Sequence, residues 1–166
     1  MLRACRRHYD RSVAKTLCVG CVFLGVLALG CSRHSGLEKA PAACTDGSPG
    51  TRVSALRSAL EDAPQPVRLG DGTSISDCLA HDADSGDIQN VGSTLLTVTQ
   101  QLMDGGAAGP RRLVELGYLA GAVHRGATRA QGVDDEIERR IDQELQGLNT
   151  ASPAFKRGER AGRANG

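Results

Sequence analysis

Hydrophobic residues first gather in one uncharged run, Thr16–Ser32, which reads TLCVGCVFLGVLALGCS. The segment before it, residues 1–15, holds five basic residues and one acidic residue. The apolar part is shorter than the about 20 residues that a helix needs to cross a bilayer core. A basic head, a short apolar core and small residues at the end are typical of a secretory signal peptide. We therefore expect the chain to be exported.

Beyond residue 50 the apolar positions recur at spacings of three and four residues, which predicts four amphipathic helices. Ser48 or Thr51 can cap the first helix and Ser85 or Asp84 the second, while Pro110 suits the first turn of the third. The apolar positions of the four helices are Val53, Leu56, Leu60 and Ala63; Ile88, Val91, Leu95, Val98 and Leu102; Leu113, Leu116, Ala120, Val123 and Ala127; and Val133, Ile137, Ile141, Leu145 and Leu148.

One segment between the first two helices has a different pattern. Residues 67–69 and 73–75 are short apolar or β-branched runs on either side of a Gly-Asp-Gly turn, which predicts a short β-hairpin. Ser76 or Asp77 can then cap a short helical turn that holds Cys78. The predicted fold class is mainly α: a small bundle of about four helices with one short β-hairpin.

The composition divides the chain into four parts. Residues 1–30 form the leader, and residues 31–50 are small, polar and without periodicity, which is typical of a flexible tether. Residues 51–149 form the helical domain. Residues 150–166 are basic and rich in glycine and alanine, and we expect a disordered tail.

The end of the leader carries a recognisable motif. The run LALGC at 27–31 resembles the lipobox of bacterial lipoprotein precursors. The resemblance implies cleavage between Gly30 and Cys31, a diacylglycerol thioether on Cys31 and, in many bacteria, an added acyl chain such as palmitate. Cys21, in the run LCVGC, is a rival site. The chain is then expected on the cell membrane or outer membrane, lipid-anchored and facing the extracytoplasmic side.

The charge balance narrows the range of partners. The whole chain has 20 Lys and Arg against 19 Asp and Glu, a formal charge of +1. Loss of the leader removes five basic residues and Asp10, which leaves 15 basic and 18 acidic residues and a charge of −3. Such a domain lacks the basic surface of a nucleic-acid binder. It also gains no attraction to anionic lipid, so the anchor alone must hold it to the membrane.

Two cysteines remain for the folded domain. The leader takes three of the six, and the lipid would use Cys31. Cys44 and Cys78 form an even pair in an oxidising compartment, which predicts a disulfide. The alternative is a metal or redox pair, but their separation is far from a C-x-x-C spacing.

Four acids and one histidine lie within eleven residues: Asp77, His81, Asp82, Asp84 and Asp87. The segment from Asp82 onward resembles a calcium loop in part, but its twelfth position is Ser93 instead of the bidentate glutamate. Asp77 and His81 share a helix face at i,i+4, yet two ligands do not complete a zinc site. The alternative is a polar loop whose acids cap the following helix and complement its dipole.

Two residues of the third helix are further candidates. His124 lies near the middle of the apolar face, where it would be a general base in a pocket, a hydrogen-bonded histidine of the core, or a histidine at the margin of the core that reaches the surface. Tyr118 falls on the opposite, polar side with three charged residues, where it would contact a partner or be an ordinary surface tyrosine. Gly117 and Gly121 favour close backbone contact with a neighbouring helix.

No motif for a nucleophile, a zinc protease or a nucleotide appears in the sequence, so we expect neither an enzyme nor a cofactor. The leading hypothesis is a lipid-anchored envelope module that binds a protein partner. The alternative is a domain that senses a small ligand or a metal through Asp77–Asp87. A sensor would be stabilised when its metal binds, and an adaptor would not.

Overall fold

The computed structural model describes residues 40–79, 85–104, 109–130 and 133–166. These residues form six α-helices, one short 3₁₀-helix and no strand, so the mainly α fold is confirmed. The elements in chain order are α1 (Ala42–Thr45), α2 (Pro49–Leu60), a 3₁₀-helix (Ile75–Cys78), α3 (Ser85–Met103), α4 (Pro110–Ala127), α5 (Val133–Glu144) and α6 (Pro153–Asn165). The leader and Cys31 lie outside the described residues.

Helix α4 is the centre of the bundle. It packs against α2, α3, α5, α6 and the 3₁₀-helix, and it makes its most extensive contact with α6. Buried residues occur around most of its circumference, including Leu116, Leu119 and Val123. Helix α3 presents the predicted stripe to the core, with Val91, Leu95, Val98 and Leu102 buried. These two helices, which the apolar spacing predicted, therefore supply much of the core.

The predicted β-hairpin is wrong. Residues 67–74 form an irregular turn, and Ile75 begins the 3₁₀-helix. Within the turn, the Leu69 N–H donates to the Thr73 carbonyl at 2.9 Å and the Gly72 N–H donates to the Leu69 carbonyl at 2.8 Å. Gly72 has a φ of +86°, which glycine adopts without strain. The Val67 N–H donates to a side chain, the hydroxyl of Tyr118, at 2.9 Å. A run this short gains more from the helical core than from strand pairing.

The predicted disordered tail is wrong as well, because residues 153–165 form α6. Ser152 caps this helix, accepting a hydrogen bond from the Phe155 N–H at 3.3 Å, and Pro153 occupies its first turn. Phe155 is buried against the core, together with Gly158 and Gly162. Burial against α4 stabilises a helix whose sequence alone has little apolar surface.

Helices α4 and α6 approach each other through glycines. A methyl group on Gly117 would overlap the Phe155 carbonyl, and one on Gly121 would overlap the Glu159 carbonyl. On the other side, a methyl group on Gly158 would overlap the Val114 carbonyl. The expectation of close contact at Gly117 and Gly121 is therefore confirmed, and its partner is the helix at the end of the chain.

The tether was predicted too long at its carboxyl end. Residues 42–45 form α1, and α2 begins at Pro49, two residues before the predicted domain boundary. Ser48 caps α2 by accepting a hydrogen bond from the Thr51 N–H at 3.2 Å, which confirms one of the two predicted caps. The helix ends at Leu60, before Pro64. The part of the proposed tether that lies outside the described residues is 31–39.

Arg52 fixes this first segment to the bundle. Its side chain is buried, at 8% exposure for the residue, and its Nη1 donates to the Thr45 and Gly47 carbonyls at 3.1 and 2.6 Å. Its Nε and Nη2 lie 3.4 Å from Thr94 Oγ1 and 3.5 Å from Asn90 Oδ1 on α3. One guanidinium thus joins α1, α2 and α3.

Among the described helices, none combines the length and the apolar character that crossing a membrane requires.

Candidate functional site

Cys44 and Cys78 are joined by a disulfide, as predicted. Cys44 lies in α1 and Cys78 at the end of the 3₁₀-helix, and both are buried. Their Cα atoms are 5.6 Å apart, within the usual range for a bonded pair. The bond attaches α1 to the 3₁₀-helix, which contacts α4.

The predicted acidic cluster is only partly within the described residues, since His81, Asp82 and Asp84 lie outside them. Asp77 is held in place locally: its Oδ2 accepts from the Ser74 N–H at 3.3 Å, and its Oδ1 lies 3.5 Å from Arg129 Nη1. Partial burial alone would raise its pKa, but the Ser74 hydrogen bonds and the Arg129 charge outweigh burial and lower it. Ser74, the residue before the 3₁₀-helix, is thus its cap, in place of the predicted Ser76 or Asp77.

Asp87 belongs to the first turn of α3, where a carboxylate complements the helix dipole. That position agrees with the simpler of the two interpretations of the cluster. Among the described residues, no group of three or more His, Cys, Asp or Glu side chains is arranged to hold a metal ion.

The prediction that Tyr118 lies on a polar surface is wrong. The residue is fully buried, and its hydroxyl accepts the Val67 N–H at 2.9 Å. Burial raises the pKa of this hydroxyl, which therefore stays protonated at neutral pH. Glu115, predicted on the same polar side, is also buried, with its Oε1 3.2 Å from Arg111 Nε. Helix α6 and the turn before the 3₁₀-helix cover this side of α4, so it is part of the core.

His124 lies at the edge of a cleft and not in the middle of the core. Its side chain is 36% exposed, and its Nδ1 is paired with Glu138 Oε1 on α5. The cleft has a volume of about 430 Å³ and runs between α5 and α6, with Ala120 and His124 of α4 on its floor. The turn that joins α5 to α6 lines one end, including Gly147, whose φ is +93°.

The two walls of the cleft carry different charges. On the α6 wall, Glu159 lies 2.8 Å from Lys156 Nζ and 3.0 Å from an Arg163 guanidinium nitrogen. Hydrogen bonds from Lys156 and Arg163 lower the pKa of Glu159. The α5 wall presents Glu138 and Asp142, which are spaced at i,i+4 on one helix face. The α5 wall thus carries two carboxylates, and the α6 wall carries one carboxylate with two basic side chains.

The side chain of Asp142 makes no hydrogen bond or ion pair within the part of the chain that the structure describes. Partial burial raises the pKa of its carboxyl, and the nearby charge of Glu138 raises it further. This exposed carboxylate lies at the wall of the cleft, where it can accept a hydrogen bond from a cationic group.

Sequence reasoning found His124 but missed the other polar residues of this cleft. Glu138 and Asp142 were not singled out on the last predicted helix, and Lys156, Glu159 and Arg163 fell in the segment expected to be disordered. The sequence did contain a signal for α6. The Ser152-Pro153 pair is typical of a helix start, and Lys156 and Arg163 lie three residues before and four residues after Glu159, which are helical ion-pair spacings.

Comparison with protein-family models, with curated proteins and with solved structures finds no match to this chain.

Proposed function

We propose that this chain is a lipid-anchored envelope protein whose helical domain binds a protein partner. The observation that carries the proposal is the Cys44–Cys78 bond, because structural disulfides persist in oxidising, extracytoplasmic compartments. The basic leader, the short apolar run and the LALGC motif at 27–31 support export and lipidation at Cys31.

The short distance between the proposed anchor and the domain supports a role close to the membrane. Nine residue steps separate Cys31 from Ala40, where the described domain begins. A fully extended chain of that length spans about 30 Å at most. A domain on such a tether meets envelope partners at a high local concentration, so a modest contact surface is sufficient.

Labelling with a radioactive or clickable palmitate analogue tests the anchor in cells that produce the full chain. Cys31→Ser should abolish the label and leave an unprocessed or released protein, because the thioether forms on this sulfur. Cys21→Ser is the matched control and should keep both the label and the processed size. Loss of label in Cys21→Ser, with labelling intact in Cys31→Ser, would move the anchor to the rival site. Labelling absent from the wild-type chain would contradict lipidation altogether.

A further inference from the structure

The cleft between α5 and α6 has the form of a docking groove. Both helices pack against α4, and the opening between them is polar along its walls and closed at one end by the turn after α5. Small-molecule pockets of this volume enclose most of their ligand. This cleft instead lies open along its length between two exposed helix faces, and His124 on its floor keeps 36% of its side chain exposed. An open groove of this kind suits a segment of another protein.

The charges in the groove favour one type of side chain. His124 already pairs with Glu138, and Glu159 already pairs with both Lys156 and Arg163. Asp142 is the carboxylate of the groove that has no such partner within the described residues. Burial raises the pKa of Asp142, and repulsion by the Glu138 charge, one turn away on the same helix, raises it further, while His124 and Arg163 act in the opposite direction. A lysine or arginine at this point would relieve that repulsion.

The turn end of the groove adds an apolar requirement. Leu148 is half-buried there, beside the buried side chains of Leu145 and Phe155. An apolar side chain that covers Leu148 would complete this part of the core. Arginine with a neighbouring apolar or aromatic residue is a frequent anchor of protein interfaces.

We propose that the α5–α6 groove binds a segment of the partner protein that carries a lysine or arginine, which pairs with Asp142, next to an apolar residue that packs on Leu148. This inference rests on the proposed function and names the surface and the partner chemistry that the function uses.

Site-specific photo-crosslinking in cells tests the groove with the full, membrane-anchored chain. The probe is p-benzoylphenylalanine, placed in separate variants at Gln146, in the turn that lines the groove, and at Gln143, an exposed glutamine of α5 outside the groove. A third variant carries the probe at Ser93 on α3. We expect an adduct from position 146 and little from position 143, with the crosslinked partner peptide containing a lysine or arginine.

A charge reversal then asks whether Asp142 is the recognition point. Asp142→Lys should lower the yield of the position-146 adduct about tenfold or more, since a pair of like charges replaces an attractive one. Asp62→Lys, which reverses an exposed carboxylate outside the groove, should leave the yield unchanged. Replacing the mapped basic residue of the partner by glutamate should restore the adduct with Asp142→Lys. The far-UV circular dichroism and Tm of both variants check that the fold is intact.

The remaining outcomes separate the groove from the wider function. An adduct from Gln143 or Ser93, but not from position 146, would overturn the groove and leave the interaction function standing. A position-146 adduct that Asp142→Lys does not affect would overturn the basic partner. An adduct to residues 31–39 of the same chain would show that the tether fills the groove. Absence of an adduct from all three positions would overturn both proposals.

Discussion

The hydroxyl of Tyr118 accepts a hydrogen bond from the Val67 N–H, a backbone group that lies outside any helix. Val67 lies in the irregular segment after α2, both residues are fully buried, and the N–H to hydroxyl distance is 2.9 Å. Buried backbone donors are almost always paired, because loss of water is costly unless another acceptor replaces it. One side chain on α4 thereby fixes the path of the connection between α2 and the 3₁₀-helix.

Tyr118→Phe should lower the free energy of unfolding by about 1–3 kcal/mol, because it leaves the Val67 N–H buried without an acceptor. Urea denaturation measures the change as a lower midpoint at an unchanged slope. Thr97→Val is the control: its exposed hydroxyl bonds only to the Ser93 carbonyl of its own helix, and its loss should change stability by no more than about 0.5 kcal/mol. If the two substitutions lower the free energy of unfolding equally, the Tyr118 hydrogen bond contributes no more to stability than an exposed one.

Single residues could be predicted from the sequence where their role is local or covalent. Ser48 was expected as one of two possible caps, because a serine just before a helix can accept a hydrogen bond from a backbone N–H of the first turn. Cys44 and Cys78 were expected to pair because the other cysteines had separate uses. Tyr118 and the cleft around His124 could not be predicted in the same way. Their surroundings come from α6, which lies far away in sequence and was not expected to be a helix.

The pairing of α4 with α6 depends on how closely two backbones can approach. Gly117 and Gly121 on one helix face Gly158 and Gly162 on the other at the same four-residue spacing. Without side chains between them, the helices gain dispersion contacts along the backbone and weak hydrogen bonds from Cα–H groups. This contact compensates for the scarcity of large apolar residues in α6, where Phe155 is the single aromatic side chain.

Gly158→Ala should destabilise the domain by about 3 kcal/mol, because its methyl group would overlap the Val114 carbonyl and force the helices apart. Chemical denaturation gives the magnitude, and faster proteolysis within α6 would show where the damage lies. Gly50→Ala is the matched control, since Gly50 is exposed near the start of α2 and a methyl group there meets nothing closer than 4.0 Å. That change should be neutral or stabilising by up to about 1 kcal/mol. A stable Gly158→Ala protein would contradict the glycine contact.

Whole elements were predictable in proportion to their apolar periodicity. Helices α3 and α4 have long stripes at helical spacing, and their predicted extents agree with the structure. Helix α6 has no such stripe, because glycine takes the positions where apolar side chains would be expected. The 67–75 segment shows the opposite error. Its alternating residues suited a strand, but the core offered Val67 a side-chain acceptor in place of a neighbouring strand.

At the scale of the molecule, the first described segment is held by two independent means. The Cys44–Cys78 bond connects α1 to the 3₁₀-helix, and Arg52 donates hydrogen bonds to the carbonyls of Thr45 and Gly47. The described residues include only two aromatic side chains, Tyr118 and Phe155, so the core is modest for its length. A covalent link is then a substantial part of the total stability.

Reduction of the disulfide should lower Tm by an amount on the order of 10 °C, since a loop with a sequence separation of 34 is worth roughly 3–4 kcal/mol in the entropic model. Calorimetry with and without a reducing agent measures the difference. The Cys44→Ser, Cys78→Ser double variant should melt at the lower temperature and show no response to the agent. If a thiol assay of the unreduced wild-type protein finds both sulfurs reactive, the bond does not form.

The same bond determines how the molecule would carry tension. A force applied through the proposed tether would reach Cys44 and pass through the disulfide to Cys78. Residues 45–77, which include the whole of α2, would therefore bear no force. Beyond Cys44, only the chain after Cys78 could extend under force. The disulfide excludes from extension the loop between the two cysteines, whose contour length is about 120 Å. A domain held between the membrane and a bound partner would therefore yield by separation of its later helices, while α2 carries no load.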